Sequence, residues 1–275
     1  MPEGDTIARA ATALHRALAG RVVTAFTTGL ASLARVDDDT PIAGRTIDGC
    51  RSVGKHLLMV FSGGLVLRTH MRMHGSWHLY RPGERWQRSP RAARIRIDTD
   101  AWVAVAFDVP VAEYVREADL PRHRPLAILG PDLADPAYDR ADAVARIGAS
   151  GRRAVGEVLL DQRIVAGIGN VLRSETLFIA GVHPETPAAL LSAGDVTRLL
   201  DTAAALVQRN ARADAYPTRN TTGRRAPGDA LWVYQRTGRP CRRCGTVIRS
   251  AVPGLDARRV YWCPACQPKA TEPPA

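Results

Sequence analysis

Four of the five cysteines of this 275-residue chain fall near its C-terminus as two Cys-x-x-Cys pairs, Cys241/Cys244 and Cys263/Cys266, separated by 18 residues. Each pair is a short turn that presents two thiolates to one side, and two such turns complete the tetrahedral four-sulfur set that zinc favours. The chain starts Met1-Pro2-Glu3-Gly4-Asp5, with no basic region leading into an apolar stretch. In that context the spacing reads as metal ligation and not as disulfides. One structural zinc ion is expected, closed by four thiolates with no open position. Between the pairs, Val247-Ile248, Pro253-Gly254 and Val260-Tyr261-Trp262 predict a β-hairpin with its tip between the two knuckles. Arg249, Arg258 and Arg259 fall on that hairpin, either as solvated charge or as groups that reach phosphate. Cys50, remote from the others, reads as a buried small hydrophobe.

The charge balance narrows the partner. The net charge is +11, from 38 basic against 27 acidic residues. A balance this basic favours a polyanion, because each phosphate neutralised releases a counterion. Only Lys55 and Lys269 are lysines; all other basic residues are arginine. An amine inside the folded body, at Lys55, therefore reads as specifically chosen. No apolar run approaches the ~20 residues that span a bilayer, so a soluble, cytoplasmic protein with no membrane partner is expected.

The periodicities divide the chain. Asp5 is placed to cap a helix carrying Ile7, Ala8, Ala11, Leu14 and Leu18, with Gly20 as its stop. From Arg21 to about Phe107, short β-branched runs (Val22–Phe26, Leu57–Phe61, Leu65–Thr69, Ile95–Ile97, Trp102–Phe107) predict an antiparallel sandwich or barrel. The expected organisation is α+β. Residues 1–118 form the β domain and 119–136, rich in proline, a linker. A helical domain covers 137–232, with a mobile loop over 211–230. The zinc finger covers 233–267 and a disordered tail 268–275.

Four further segments bear chemistry. In Leu159–Glu175, helical stretches meet at Gly167-Ile168-Gly169. Asn170 can cap the second helix, as a plain turn or as a phosphate site at the helix start. At the N-terminus, removal of Met1 would expose Pro2 as a secondary amine beside the Glu3 carboxyl, a nucleophile if held unprotonated; the alternative is an ordinary start. In Ser52–Met59, Lys55 enters an apolar strand, as an edge-strand lysine or as a functional amine. In His70–Trp77, Gly75 marks a turn. Either Met73 packs into the core of a hairpin, or the long side chains wedge into a base stack.

Taken in order, these segments resemble the formamidopyrimidine-DNA glycosylase and endonuclease VIII family from Pro2 to Gln267: the start PEG, GKHLL, LLDQ…AGIGN and CxxC…RRVYWCPACQ. The resemblance implies an N-terminal antiparallel β-sandwich with a leading helix, a helical domain with a helix–two-turn–helix, and a zinc-finger β-hairpin, with damaged DNA lying between the domains. It implies that Pro2 is the Schiff-base nucleophile and Glu3 the general acid. Lys55, Asn170 and Arg258 would clamp phosphates, and Lys55 and Arg258 would also transfer protons during elimination. Arg258 stands five residues before Cys263, the family spacing, and is preferred to Arg259. His70, Arg72, Met73 and His74 would contact DNA, the last three filling the gap left by an extruded base. Thr6 stands where the family often carries glutamate, and the stretch after Asn210 lacks the look of the lid over oxidised guanine. Together with the start PEG this points to the endonuclease VIII branch. The expected function is excision of oxidised bases, pyrimidines foremost, and strand cleavage by β,δ-elimination in base excision repair, by a monomer needing no redox cofactor. A non-enzymatic binder of abasic or damaged DNA would use the same clamp and finger.

Overall fold

A computed structural model describes residues 1–212, 218–252 and 258–269. The chain forms two compact units: Met1–Pro2 with Thr6–Ala127, and Glu3–Asp5 with the chain from Ile128 onward.

In the first unit, helix α1 (Gly4–Leu18) buries Ile7, Ala11, Leu14 and Leu18 on one stripe, as their spacing dictates. The helix starts at Gly4, so Asp5 is not its cap but lies in its first turn. Two antiparallel four-stranded sheets follow. One has the order β1 (Ala25–Thr28), β6 (Ala93–Asp98), β7 (Val103–Phe107), β5 (Ser76–Tyr80); the other runs β2 (Ile47–Val53), β3 (His56–Phe61), β4 (Leu65–His70), β8 (Val111–Arg116). The alternation of strands sorts side chains between faces. Leu57, Met59 and Phe61 of β3 join the main core with Ile95, Ile97 and α1. Leu58 and Val60 point the other way and are covered by Leu120 and Leu126. That double coverage explains the unbroken apolar run of β3. The covering residues lie in a 3-10 turn, Glu117–Arg122, and in α3 (Arg124–Ala127), so the first half of the proline-rich segment is packed structure. A helix, α2 (Ala31–Asp39), interrupts the expected β region. It has no side-chain cap and buries only Leu33, so the sequence carries little helical signal there. Cys50 is 9 % exposed, and burial pushes its thiol up to about 12.

The second unit packs α4 (Arg140–Gly148), α5 (Val155–Val158), α6 (Asn170–Ala180) and α7 (Ala193–Ala211) around Ile147, Val158, Leu172, Leu177, Leu200 and Val207. Helix α7 starts with a reciprocal Ser192/Asp195 capping box, and α6 stops at Gly181, which takes φ 74°. The two helical stretches expected to meet at Gly167-Ile168-Gly169 do not: 159–169 is a run of turns after the short α5. The stretch expected to be a mobile loop is bonded over its described part. Asn210 Nδ2 donates to the Asn220 carbonyl (3.1 Å), and the Asn220 amide donates to Asn210 Oδ1 (2.8 Å). Residues 213–217 of that loop lie outside the described residues, as do the expected hairpin tip at Pro253-Gly254 and the tail from Ala270. Strands β9 (Arg249–Ala251) and β10 (Val260–Trp262) pair antiparallel as the finger hairpin, over a small core of Phe178, Val233, Ile248 and two cysteines. Among the described residues no helix is long and apolar enough to cross a membrane.

Candidate active site and nucleic-acid interface

The start of α6 holds a buried carboxylate. Glu3 is 1 % exposed, and its carboxylate accepts hydrogen bonds from the amides of Gly169 (3.2 Å), Val171 (2.8 Å) and Leu172 (3.0 Å). Amides at a helix start lack partners within the helix and attract an anion. The sequence reading offered them a phosphate; the structure gives them the Glu3 carboxylate. Asn170 is not the cap: Gly169 holds that position, without a side-chain bond, and Asn170 is the first helical residue.

Glycine makes the approach possible. A Cβ on Gly169 would stand 2.4 Å from Glu3 Cδ, and one on Gly4 would stand 2.7 Å from Gly167 Cα. The Gly4 amide donates to the Gly167 carbonyl (2.8 Å). Gln162 braces the same loop, its Nε2 donating to the Ile168 carbonyl (2.9 Å) and its Oε1 accepting from the Gly167 amide (3.1 Å). The LLDQ…AGIGN motif thus encodes a cradle for residues 3 and 4.

Beside it, Arg219 grips the fully buried Asp5 with two bonds of 2.6 Å each. Burial opposes the guanidinium charge, but the hydrogen bond to Asp5 and the Glu3 and Asp5 carboxylates outweigh it, and the Arg219 pKa is raised. Sequence reasoning missed Arg219, which stands 214 residues from its partner in a stretch without periodicity.

Side chains at the far end of this motif tie α6 to the finger. Asn170 Nδ2 donates to the Arg259 carbonyl (3.0 Å), and its Oδ1 accepts from Arg173, which also donates to the Arg258 carbonyl (3.1 Å). Arg173 thus links Asn170 to the Arg258 backbone, while the Arg258 side chain is exposed. Arg173, 1 % exposed, carries no sequence signal that separates it from a surface arginine. Two residues on, buried Glu175 accepts from the amides of Trp232 (2.7 Å), Val233 (2.9 Å) and Tyr234 (2.8 Å) and from the Thr221 hydroxyl. Burial raises its pKa against the pull of these donors.

In the finger, the four sulfurs of Cys241, Cys244, Cys263 and Cys266 lie within 4.8 Å of one another. Separations of 3.9 Å (Cys241–Cys266) and 3.5 Å (Cys244–Cys263 and Cys244–Cys266) are close to the ~3.8 Å edge of a tetrahedron with ~2.3 Å zinc–sulfur bonds. The cluster fits a metal ion.

In the first unit, Pro2 lines a cavity of about 440 Å³ with Thr6, Met71, Met73, His74 and Trp77. Its nitrogen is in a peptide bond to Met1 and becomes an amine only once Met1 is removed. The His70–Trp77 segment is not a hairpin, since it carries the chain from β4 in one sheet to β5 in the other. Met71, not Met73, is the core residue at 4 % exposure; Met73 is 54 % exposed. Gly75 is required, because a Cβ there would stand 2.6 Å from the Met71 carbonyl oxygen.

Lys55 does not lie within a strand. It forms the β2–β3 turn with Gly54, which takes φ 56°. It flanks a histidine pair: His56 and His70 face each other across β3 and β4 with ring centroids 4.8 Å apart. Burial and then the Arg72, Arg68 and Lys55 charges lower His70 to about 4. Burial, His70 and Arg68 lower His56 to about 3. His56 Nδ1 accepts from Arg68 (2.6 Å), which fits a neutral ring. Arg68 in turn pairs with Glu113, which also meets His123 (3.0 Å).

Comparison with known proteins agrees with this architecture. The N-terminal domain of formamidopyrimidine-DNA glycosylase matches residues 1–110, and the H2TH domain of that enzyme matches residues 129–222. The structure of Lactococcus lactis Fpg in complex with abasic-site DNA superposes with a TM-score of 0.82 at 21 % identity, covering 98 % of this chain and 100 % of that one, so the two share a fold. The sequence is 43 % identical to a probable endonuclease 8 2 of Streptomyces coelicolor over 97 % of this chain and 94 % of the relative. It is 35 % identical to the DNA-(apurinic or apyrimidinic site) lyase Nei2 of Mycolicibacterium smegmatis over 97 % and 99 %. The endonuclease 8 of Escherichia coli is 30 % identical over 97 % and 100 %. The chain belongs to the formamidopyrimidine-DNA glycosylase family of DNA-repair enzymes. Within that family it falls with the endonuclease 8 proteins.

Proposed function

We propose that this enzyme is a bifunctional DNA glycosylase and abasic-site lyase that excises oxidised bases, pyrimidines foremost, through a Schiff base on Pro2. The observation that carries the reading is the anchoring of Glu3. A carboxylate held by three helix-start amides, bonded in sequence to a proline that lines a cavity, fixes an acid beside a potential amine.

The chemistry follows from those groups. The target nucleotide leaves the stack so that its C1′ is accessible. The Pro2 amine attacks C1′, the bond to the damaged base breaks, and the base leaves with a proton. Glu3 protonates the ring oxygen and the sugar opens to an iminium. The iminium acidifies the C2′ proton. Its loss expels the 3′ phosphate, and a second elimination expels the 5′ phosphate. Lys55, Asn170 and Arg258 bind the flanking phosphates, Lys55 and Arg258 exchange protons during elimination, and His70, Arg72, Met73 and His74 contact the duplex at the vacated position. Cys241, Cys244, Cys263 and Cys266 would hold a zinc ion closed by four thiolates, which would fix the hairpin that carries Arg258 and supply no open position for bond breaking.

Borohydride reduction of a mixture of Met1-processed protein and abasic-site DNA tests this. A covalent adduct is expected, and a chain with one extra N-terminal residue should give none. A processed protein that binds abasic DNA yet forms no adduct and leaves the strand intact overturns the reading in favour of a non-enzymatic damage binder.

A further inference from the structure

Arg88 belongs to none of the groups assigned above. It lies between β5 and β6, and its guanidinium spans three partners. Nη1 donates to the His74 carbonyl (3.3 Å) and to Ser76 Oγ (2.9 Å), and Nη2 donates to Asp108 Oδ2 (2.6 Å). The cation also sits 5.7 Å from the Phe107 ring centroid. The Ser76 hydroxyl lies 3.0 Å from His78 Nε2, so the arginine enters an ordered polar network.

The backbone around this brace is unusual. Among the described residues only three other than glycine have positive φ, and two of them, both at 50°, are Asp108, which Arg88 bonds, and Arg72, two residues before the bonded His74. Such conformations persist where the surroundings over-determine them, and they concentrate at working sites. At one end, the Asp108 amide is tied to the Ala92 carbonyl (2.8 Å). At the other, the turn closes on itself through Gly75 N to the Met71 carbonyl (2.9 Å) and Arg72 N to His70 Nδ1 (3.1 Å). Met73 and His74 project from that turn with exposed side chains. A side chain that must fill a gap in a base stack does so efficiently only if its backbone is already ordered.

We propose that Arg88, oriented by Asp108, is a positioning residue that holds the Arg72–Met73–His74 turn ready for insertion into duplex DNA and so sets how fast a stacked base is extracted. The proposal rests on the glycosylase reading above. Arg88 touches neither the sugar nor the base in it, and acts through the His74 carbonyl and the Ser76 hydroxyl.

Two substrates separate this role from plain stability, both tested with full-length, Met1-processed, zinc-loaded protein in single turnover. One is thymine glycol in a duplex, which must be unstacked. The other is an abasic site in a single-stranded oligonucleotide, which needs no wedge. Arg88→Ala should slow duplex excision about tenfold, the order of one lost charge-assisted hydrogen bond, and leave single-strand incision within about twofold. Arg88→Lys should recover part of the loss. Asp108→Asn, whose side chain tolerates positive φ, should slow duplex excision less than Arg88→Ala does. Combined with Met73→Ala, Arg88→Ala should cost less than it does alone, because the wedge it serves is gone. Equal losses on both substrates, or an unchanged duplex rate, overturn the proposal while wild-type protein incises both. A wild-type protein inert on both substrates refutes the glycosylase reading itself, and the proposal with it.

Discussion

The start of α6 and the Met71–Gly75 turn both carry groups expected to meet DNA, yet they are built on opposite terms. At α6 almost everything is locked. Glu3 has three amide partners, Asn170 and Arg173 hold the Arg258 and Arg259 carbonyls, and two glycines are glycines because a Cβ would collide. At the turn, the side chains expected to enter the duplex are exposed, and the order lies in the backbone beneath them. The contrast teaches a division of labour. In the proposed function Glu3 is a proton donor, which works only at one position relative to the reacting atoms, and the anchoring fits that requirement. In the same proposal the turn is a wedge that leaves water for a base stack, and a solvated side chain on a fixed stem fits that role.

The sharpest way to break that contrast is Gly169→Ala. Its Cβ would stand 2.4 Å from Glu3 Cδ and 2.6 Å from Glu3 Oε1, and the carboxylate is too confined to yield without leaving its amides. Removing a positioned acid typically costs about 10²–10⁴ in rate, and a loss in that range is expected for borohydride trapping in single turnover. A fall of less than about tenfold would mean that the lock is not what makes Glu3 useful. Arg219→Ala probes the same region through stability. It strands Asp5, fully buried, without its two guanidinium bonds. Breaking one side of a buried pair costs about 3–5 kcal/mol, readable in a urea titration. An unchanged midpoint would show that the second unit does not depend on the pair.

How far these regions were legible in the sequence follows from the range of the interactions that build them. The cysteine pairs were legible because each knuckle is local, and the structure adds only that the two meet. The strand runs and α1 were legible from periodicity. Helix α2 was not, since a segment with one buried residue leaves no pattern. The AGIGN glycines announced a turn and a helix start but not their ligand, because the anion comes from the other end of the chain. Arg219 was invisible for the same reason, and Arg88 because nothing in its segment marks His74, Ser76 and Asp108 as its partners. Nothing in a chain with arginine as its default cation marks which guanidinium is buried against Asp5 or reaches the His74 carbonyl. Met73 shows the limit of composition, since either methionine could fill the core and only the sheet crossing selects Met71.

The smallest effect bears on the turn. His70 Nδ1 accepts from the Arg72 amide (3.1 Å), and a protonated ring cannot accept there. Its pKa falls from an ordinary value near 6.5 to about 4 on folding, through burial first and then the Arg72, Arg68 and Lys55 charges. Between those values the unfolded chain binds more protons than the folded one, so stability falls as pH drops from about 6.5 towards 4 and is fully recovered above that window. One proton bounds the slope at about 1.4 kcal/mol per pH unit, and solvent screening of a partly exposed ring lowers it. His56, lowered to about 3 by burial, His70 and Arg68, adds a slope of the same sign and extends the window downward. His70→Asn keeps an acceptor near the Nδ1 position and removes the titration. It should reduce the pH dependence of the urea midpoint between 6.5 and 4, leaving the part due to His56, with the midpoint at pH 7.5 nearly unchanged. A slope as steep as wild type would assign the acid sensitivity to groups other than the turn.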